Sequence, residues 1–408
     1  MNSYLQAIEG AVLLFPFVAL VFTLPYMLVQ YRKYGAILLL RAAIVYSFIL
    51  YMMCAYFLTM LPLPDVEAVR GMTSSRYQLI PFKAFFDLFK NPKIIWAQPA
   101  TYYHFFWSTG FFQIAANVAM TVPFGIYLRY YFHCGLRKTL LLSLALSLSF
   151  ELIQLSGLFF IYPRPYRLCE VDDLITNTLG GVIGWRIAPV FMKLLPSREH
   201  MDEVAYRKGT HVSITRRAFA ALMDGLLLSI FAAVLLWLFR GALPAMEDPL
   251  PVLWFCFGVY AVGIALYFML GEWLWKGRTP GKLLTHLKLI DIRDGGRPKL
   301  WQCVVRYGVL YWVVLPTPAM ILTIFMIGGQ YGSFTLLMIL TCLLLLLVYI
   351  LFWLLLAVHV FTHSINLLHG KLSMTRNVNT LYLPRTLHAV GRQTHGFAKR
   401  ENARATEK

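Results

Sequence analysis

Glu151 and Gln154 stand three residues apart inside an otherwise uncharged apolar run, so on a helix they share a face. At a rise of 1.5 Å per residue, Glu151 falls roughly 13 Å below the outer end of such a helix. A carboxylate at that depth is costly and must face a bundle interior or a wet cavity. Downstream come Arg164 and Arg167, then Glu170, Asp172 and Asp173 leading into the next apolar run, where Asn177 follows Asp173 at i,i+4. Asn117, six residues before Pro123 in an earlier run, adds one more buried amide. Two chemistries fit. One is a polar cavity lined by Asn117, Glu151, Gln154, Glu170, Asp172, Asp173 and Asn177, with Arg164 and Arg167 at its mouth. The other is a capped helix end with rim ion pairs, since acids suit a helix amino end.

A second set lies further on. Arg217 and Asp224 are seven residues apart, two turns on one helix face, with Asp224 roughly 10 Å inside the membrane. Glu272, Lys282 and Arg306 surround a loop that turns at Gly277, Pro280 and Gly281. Residues 283–292 alternate loosely, as a surface segment or a short strand would. Here too there are two readings: an ion-pair network that pins the loop, or an ion or proton site around Asp224.

Apolar elements must position both sets. The chain has 408 residues, 59% hydrophobic and 14% charged, against about 25% charged in a typical soluble domain. A helix needs about 20 apolar residues to cross the hydrocarbon core. Runs of that kind occupy 10–31, 42–64, 105–128, 139–163, 174–192, 218–239 and 249–271. The stretch 307–370 has no Asp, Glu, Lys or Arg, and Gly328, Gly329 and Gly332 divide it in two. The expectation is an all-α polytopic transmembrane bundle of nine spans, with 174–192 the weakest because it carries Arg186. The first run lacks a basic leader and is too long for a cleavable signal peptide.

The net charge of +18 then acquires a meaning. Twenty-nine of the 37 Lys and Arg fall in one alternate set of loops. Basic loops face the cytoplasm, so the amino terminus is expected outside and the carboxyl terminus inside. Trp96, Tyr102, Tyr103, Phe105, Phe106 and Trp107 cluster where the third span enters from outside, as an aromatic belt does. The expected division is a membrane domain of five spans over 1–195, a cytoplasmic linker over 196–214, a four-span domain over 215–370 and a basic tail over 371–408.

No nucleic-acid role follows from a charge that topology explains. The six cysteines are scattered without a CxxC pair, and no phosphate loop or HExxH motif is present. His359 and His363 are an i,i+4 pair, short of the four ligands of a structural zinc. No metal or cofactor is expected. An enzyme acting on a lipid headgroup would need Glu151 as a base and has no nucleophile–His pair beside it.

The motifs YQLIPF (77–82), Asn117 with PFG (123–125), ELIQ (151–154), and Arg167 followed by EVDDLITNTLGGVIGW (170–185) resemble the VanZ-like family over about 40–195. Glu170 stands where that family often has Asp. The resemblance implies a bacterial plasma-membrane protein with a cell-envelope role at the outer face. It is associated with tolerance of teicoplanin-type glycopeptides and with partners such as membrane lipids, a lipid-linked envelope precursor or an amphiphilic drug. It supplies no reaction. RRAFAALMDG (216–225), GRTPGK (277–282) and DGGRP with Arg306 resemble the RDD family over about 212–370, some of whose members are proposed transporters or cation/proton antiporters. An extra closing span departs from that family's commonest short form. Secondary transport through intramembrane carboxylates is the alternative function. The absence of an internal repeat between the halves weighs against it.

Overall fold

The computed structural model describes residues 2–73, 75–90, 98–238, 249–330, 335–361 and 368–381. Trp96, His363, the side chain of His359, residues 331–334 of the Gly-rich break and most of the basic tail lie outside them. The chain divides into two compact units, one of residues 1–25 and 38–202, the other of residues 26–37 and 203–408.

The first unit is a helical bundle. It begins on α1 (Asn2–Tyr34), whose last residues belong to the second unit, and continues with α2 (Leu39–Met60), α3 (Thr109–Tyr130), α4 (Leu136–Leu155) and α5 (Val171–Met192). Ser108 caps α3 by accepting from the Phe111 N–H at 3.3 Å. Its core gathers Ala55, Phe124, Leu128, Leu146 and Phe150. Small residues bring α5 against α3 and α4. A Cβ on Gly180 would lie 2.2 Å from the Val118 carbonyl, and one on Gly181 would meet Ser143 Oγ at 2.0 Å. Such close backbone approach is how helices associate where lipid removes the hydrophobic drive. Two short parallel strands, β1 (Tyr77–Gln78) and β2 (Cys169–Glu170), tie the long loop after α2 to the start of α5.

The boundary at 202/203 falls within α6 (Arg198–Gly209), which covers most of the expected linker, and α7 (Ile214–Leu238) follows in the second unit. Next, α8 (Pro249–Ile264) widens into a π-helical stretch, Ala265–Gly271. The loop after it forms β3 (Leu287–Asp291), which pairs antiparallel with β4 (Thr375–Asn379), so within 283–292 the strand alternative holds for 287–291, while Leu283 and Leu284 end a short helix. Between them lie α9 (Leu300–Tyr307), a second π-helical stretch (Gly308–Val314), α10 (Thr317–Gln330) and α11 (Leu336–Phe361). Leu315 and Pro316 separate Val314 from Thr317, and the axis bends by 44° there, as the missing N–H donor of Pro316 dictates. Phe268 stacks on Tyr307 and Tyr311 at 5.0 and 4.6 Å in the core.

Among the described residues seven helices are long and apolar enough to cross a membrane, and the bent pair makes an eighth. The all-α polytopic bundle is as expected. The fifth expected span, the one read as weakest, is the 22-residue helix α5, but two Asp, an Asn and Arg186 leave it short of that composition.

Candidate functional site

In the first unit the polar residues divide into caps and an acidic group. The last carbonyls of a helix have no partner within it, and those of α2 are taken up from outside. Gln154 Nε2 donates to the Thr59 carbonyl at 2.8 Å, Tyr166 Oη to Met60 at 2.6 Å and Arg167 Nη2 to Leu61 at 2.6 Å. A guanidinium at a helix carboxyl end also meets the negative pole of its dipole. Asp172 performs the converse task. Its carboxylate accepts from the N–H groups of Phe82 and Ala84 at 2.5 and 2.7 Å, capping the short helix Lys83–Phe89 from a distance in sequence. Arg164 is half-buried on the same loop.

Glu151, Glu170 and Asp173 are the acidic group. Glu151 Oε2 accepts from the Glu170 N–H at 3.0 Å, and Asp173 Oδ1 accepts from Asn117 Nδ2 at 2.6 Å. Among the described residues neither Glu151 nor Asp173 is ion-paired to a Lys or Arg. Asn177 donates to Ser147 Oγ at 3.1 Å, while its own Oδ1 is buried with no hydrogen-bond partner among the described residues. Burial, and then the Asp172 charge, hold the Glu170 carboxyl above its usual range, and Lys83 pulls it back. Burial and the charge of Glu151 push the Cys169 thiol up to about 11. All six cysteines are free.

Above Glu170 lies a cleft of about 430 Å³, bounded by Lys83, Asp87, Lys90, Gln78, Gln113 and Glu170. Its charges are mixed, with Lys90 Nζ 4.0 Å from Asp87. Phe86 and Trp107, each next in sequence to a lining residue, are exposed, and so are Tyr102, Tyr103 and Phe106 of the expected aromatic belt. Lys83, Lys90 and Gln113 were not legible as site residues, because each stands in a stretch that looks like an ordinary loop or helix end. Of the residues expected to line a cavity, the cleft takes in Glu170. Asn117, Glu151, Asp173 and Asn177 lie along the facing sides of α3, α4 and α5.

The second unit brings Asp224, Glu272, Lys282 and Arg306 into one buried region. Asp224 accepts from Tyr267 Oη at 2.7 Å, Thr279 Oγ1 at 2.6 Å and the Gly281 N–H at 2.7 Å. Gly281 is required there, since a Cβ would lie 2.2 Å from the Ala220 carbonyl and 2.8 Å from the Asp224 carboxyl carbon. Gly277 sits at φ +83°, where its missing side chain leaves room for the Leu289 carbonyl. Lys282 Nζ bonds Glu272, and also donates to Tyr307 Oη at 2.7 Å. Tyr307 Oη in turn donates to Glu272. Arg306 Nη1 donates to Thr375 Oγ1 at 3.0 Å. Arg217 is half-buried near the start of α7.

Sequence reasoning passed over Arg216, which is fully buried. Its guanidinium donates to the carbonyls of Thr285, Gly209 and His286 at 2.6, 2.9 and 3.1 Å, and to Asn379 Oδ1 at 3.0 Å. It pins the β3–β4 ladder to the first turn of α7.

Comparison with known families agrees with this division. The VanZ/LLP1 family model matches residues 48–195, and the RDD family model matches residues 211–369. No curated protein and no solved structure matches the chain. The chain is a multi-pass membrane protein that joins a VanZ-like domain to an RDD domain.

Proposed function

We propose that the VanZ-like unit holds the polar headgroup of an outer-leaflet lipid or amphiphile in the cleft above Glu170, in the plasma membrane of a bacterium. In this way it contributes to tolerance of teicoplanin-type glycopeptides. The observation that carries the reading is the cleft itself, about 430 Å³ with Lys83, Lys90, Asp87 and Glu170 on its walls, and exposed aromatic side chains stand next in sequence to its lining residues. Mixed charges suit a zwitterionic or phosphate-bearing headgroup, and aromatic rings suit the membrane interface. The capping roles of Gln154, Arg167 and Asp172 fit a scaffold that keeps the cleft open. The reading requires the amino terminus outside, as the distribution of basic residues indicates.

The test is drug susceptibility of the natural host. Deleting the gene, or replacing the chromosomal copy with the Lys83→Glu, Lys90→Glu double variant, is expected to lower the inhibitory concentration of teicoplanin and leave that of vancomycin unchanged. Equal teicoplanin tolerance in the deletion strain rejects the reading.

A second reading is secondary transport by the RDD unit. The observation in its favour is that π-helical stretches, which recur at functional sites, occur in both helices beside Asp224 and Glu272. Proton-coupled flux in proteoliposomes is then expected to disappear in Asp224→Asn. Flux indifferent to that change removes Asp224 from the coupling.

A further inference from the structure

The short helix Lys83–Phe89 sorts its residues by face. At about 100° per residue, Lys83, Ala84, Asp87 and Leu88 fall on one side, and Phe85, Phe86 and Phe89 on the other. The first four line the cleft of the VanZ-like unit. The three phenylalanines are 47%, 57% and 41% exposed, and Phe82 just before the helix is 54% exposed. One small element thus has a cleft side and an aromatic back.

Contacts at both ends fix where this helix sits. At its amino end Asp172, in the first turn of α5, accepts from the Phe82 and Ala84 N–H groups. At its carboxyl end Leu88 is buried against Gly110, where a Cβ would lie 3.0 Å from Leu88 Cδ2. Gly110 belongs to the first turn of α3, which is long and apolar enough to cross the membrane. The helix is therefore held at the level where α3 enters the bilayer. Its loop runs from the end of α2 to the start of α3, so both ends of that loop are at the membrane as well. The aromatic back continues ring by ring into α3. Centroids of Phe85 and Phe89 are 4.9 Å apart, those of Phe89 and Phe105 5.6 Å, and those of Phe105 and Phe111 5.6 Å. Phe111 stands in the first turn of α3 beside Phe112, which is 51% exposed on that spanning helix.

We infer that the helix Lys83–Phe89 lies in the plane of the membrane interface, with Phe85, Phe86 and Phe89 sunk into the leaflet at the amino end of α3. A contiguous exposed apolar patch marks a partner or a membrane. Here the partner is the bilayer that the chain already spans, because the patch is joined to the lipid-facing side of α3 and fixed at the depth of its first turn. The chemistry agrees. Aromatic rings on one face, with Lys83 and Lys90 at the two ends of the other, suit the boundary between acyl chains and headgroups, where ammonium groups meet lipid phosphates. The cleft, walled by the opposite face of the same helix, then opens at headgroup depth. This placement holds whatever the cleft binds, so it stands or falls apart from the function proposed above.

The test is a depth measurement. Full-length protein with its six cysteines replaced is placed in phosphatidylcholine nanodiscs, and single nitroxide labels are attached at Phe86→Cys or Phe89→Cys. Phe112→Cys is the lipid-facing reference, and Glu67→Cys, at a side chain 71% exposed, is the water reference. Collisions with oxygen and with a water-soluble nickel chelate are read by electron paramagnetic resonance. Labels at Phe86 and Phe89 are expected to match Phe112, open to oxygen and several-fold less accessible to nickel than Glu67. Nickel collisions equal to those at Glu67 put the face in water and overturn the proposal. Exclusion of both reagents means that protein, a second copy of the chain, covers the face, and overturns it as well. An independent arm uses the unsubstituted protein with phosphatidylcholine that carries a diazirine near the carbonyl end of one acyl chain. Illumination is expected to crosslink this lipid to residues 85–89. Crosslinks on α3 with none in 85–89 overturn the proposal whether or not the variants fold.

Discussion

Asp172 shows how a side chain far away in sequence stabilises a short element. It supplies an anion to the open N–H groups of a helix 90 residues earlier. Replacing it with Ala leaves those donors unsatisfied and is expected to cost about 1–3 kcal/mol, read as a lower melting temperature, with Asp172→Asn recovering part of the loss. The sequence pointed to Asp172 as a cap, but for its own helix. The recipient could not be read, because Lys83–Phe89 is brought beside it by the pairing of β1 with β2. Arg216 and Arg217 make the same point. Spacing favoured Arg217, since only it shares a face with Asp224. The fully buried partner of the hairpin is Arg216, and its acceptors exist only once residues 375–379 have paired with 287–291. Long-range strand pairing leaves no local trace in so few residues.

At the level of elements, periodicity and composition gave away the apolar helices, and their boundaries lie close to those observed. The glycines of α5 were also legible as a packing face. Gly125 of α3 is the tightest contact in it, since a Cβ there would lie 1.9 Å from the Gly181 carbonyl. Gly125→Val is therefore expected to prevent α3 and α5 from closing, giving a protein that melts early or fails to accumulate. Gly225→Ala is the control. Beyond its chain neighbours and its own helix backbone, a Cβ there would meet nothing within 4 Å, and the change is expected to be neutral or slightly stabilising by helix propensity. The hairpin gives a pH test. Hydrogen bonds from Arg293 hold the Asp291 carboxyl down to about 2. A carboxyl depressed in the folded state contributes stability above its unfolded value, near 4, and that contribution fades as pH falls from about 4 to 2. Asp291→Asn is expected to flatten the low-pH side of the stability curve, as followed by acid titration of hydrogen exchange in β3. Arg293 is half-exposed, so the effect is small and weakens in high salt.

For the molecule as a whole, composition already required a polytopic bundle, and the two halves announced themselves by motif. The unit boundary was less legible. Residues 26–37 group with the second unit although they precede the first unit's α2 in sequence, a consequence of side-chain packing such as Tyr31 on Phe219 at 5.1 Å. Orientation rests on loop charge and has a direct check. In a cysteine-free background, Asp65→Cys is expected to react with an impermeant thiol reagent added to intact cells, and Gly295→Cys only after the membrane is opened. The reverse pattern inverts the topology. The close fit of α5 against α3 and α4 also bears on biogenesis. A helix carrying Asp172, Asp173, Asn177 and Arg186 has little reason to leave an insertion channel for lipid by itself. It acquires one when α3 and α4 are already waiting to bury that polar face. The order of synthesis thus becomes part of the fold: α5 cut out and fused to a reporter should be translocated, and the same helix behind α3 and α4 should stay in the bilayer.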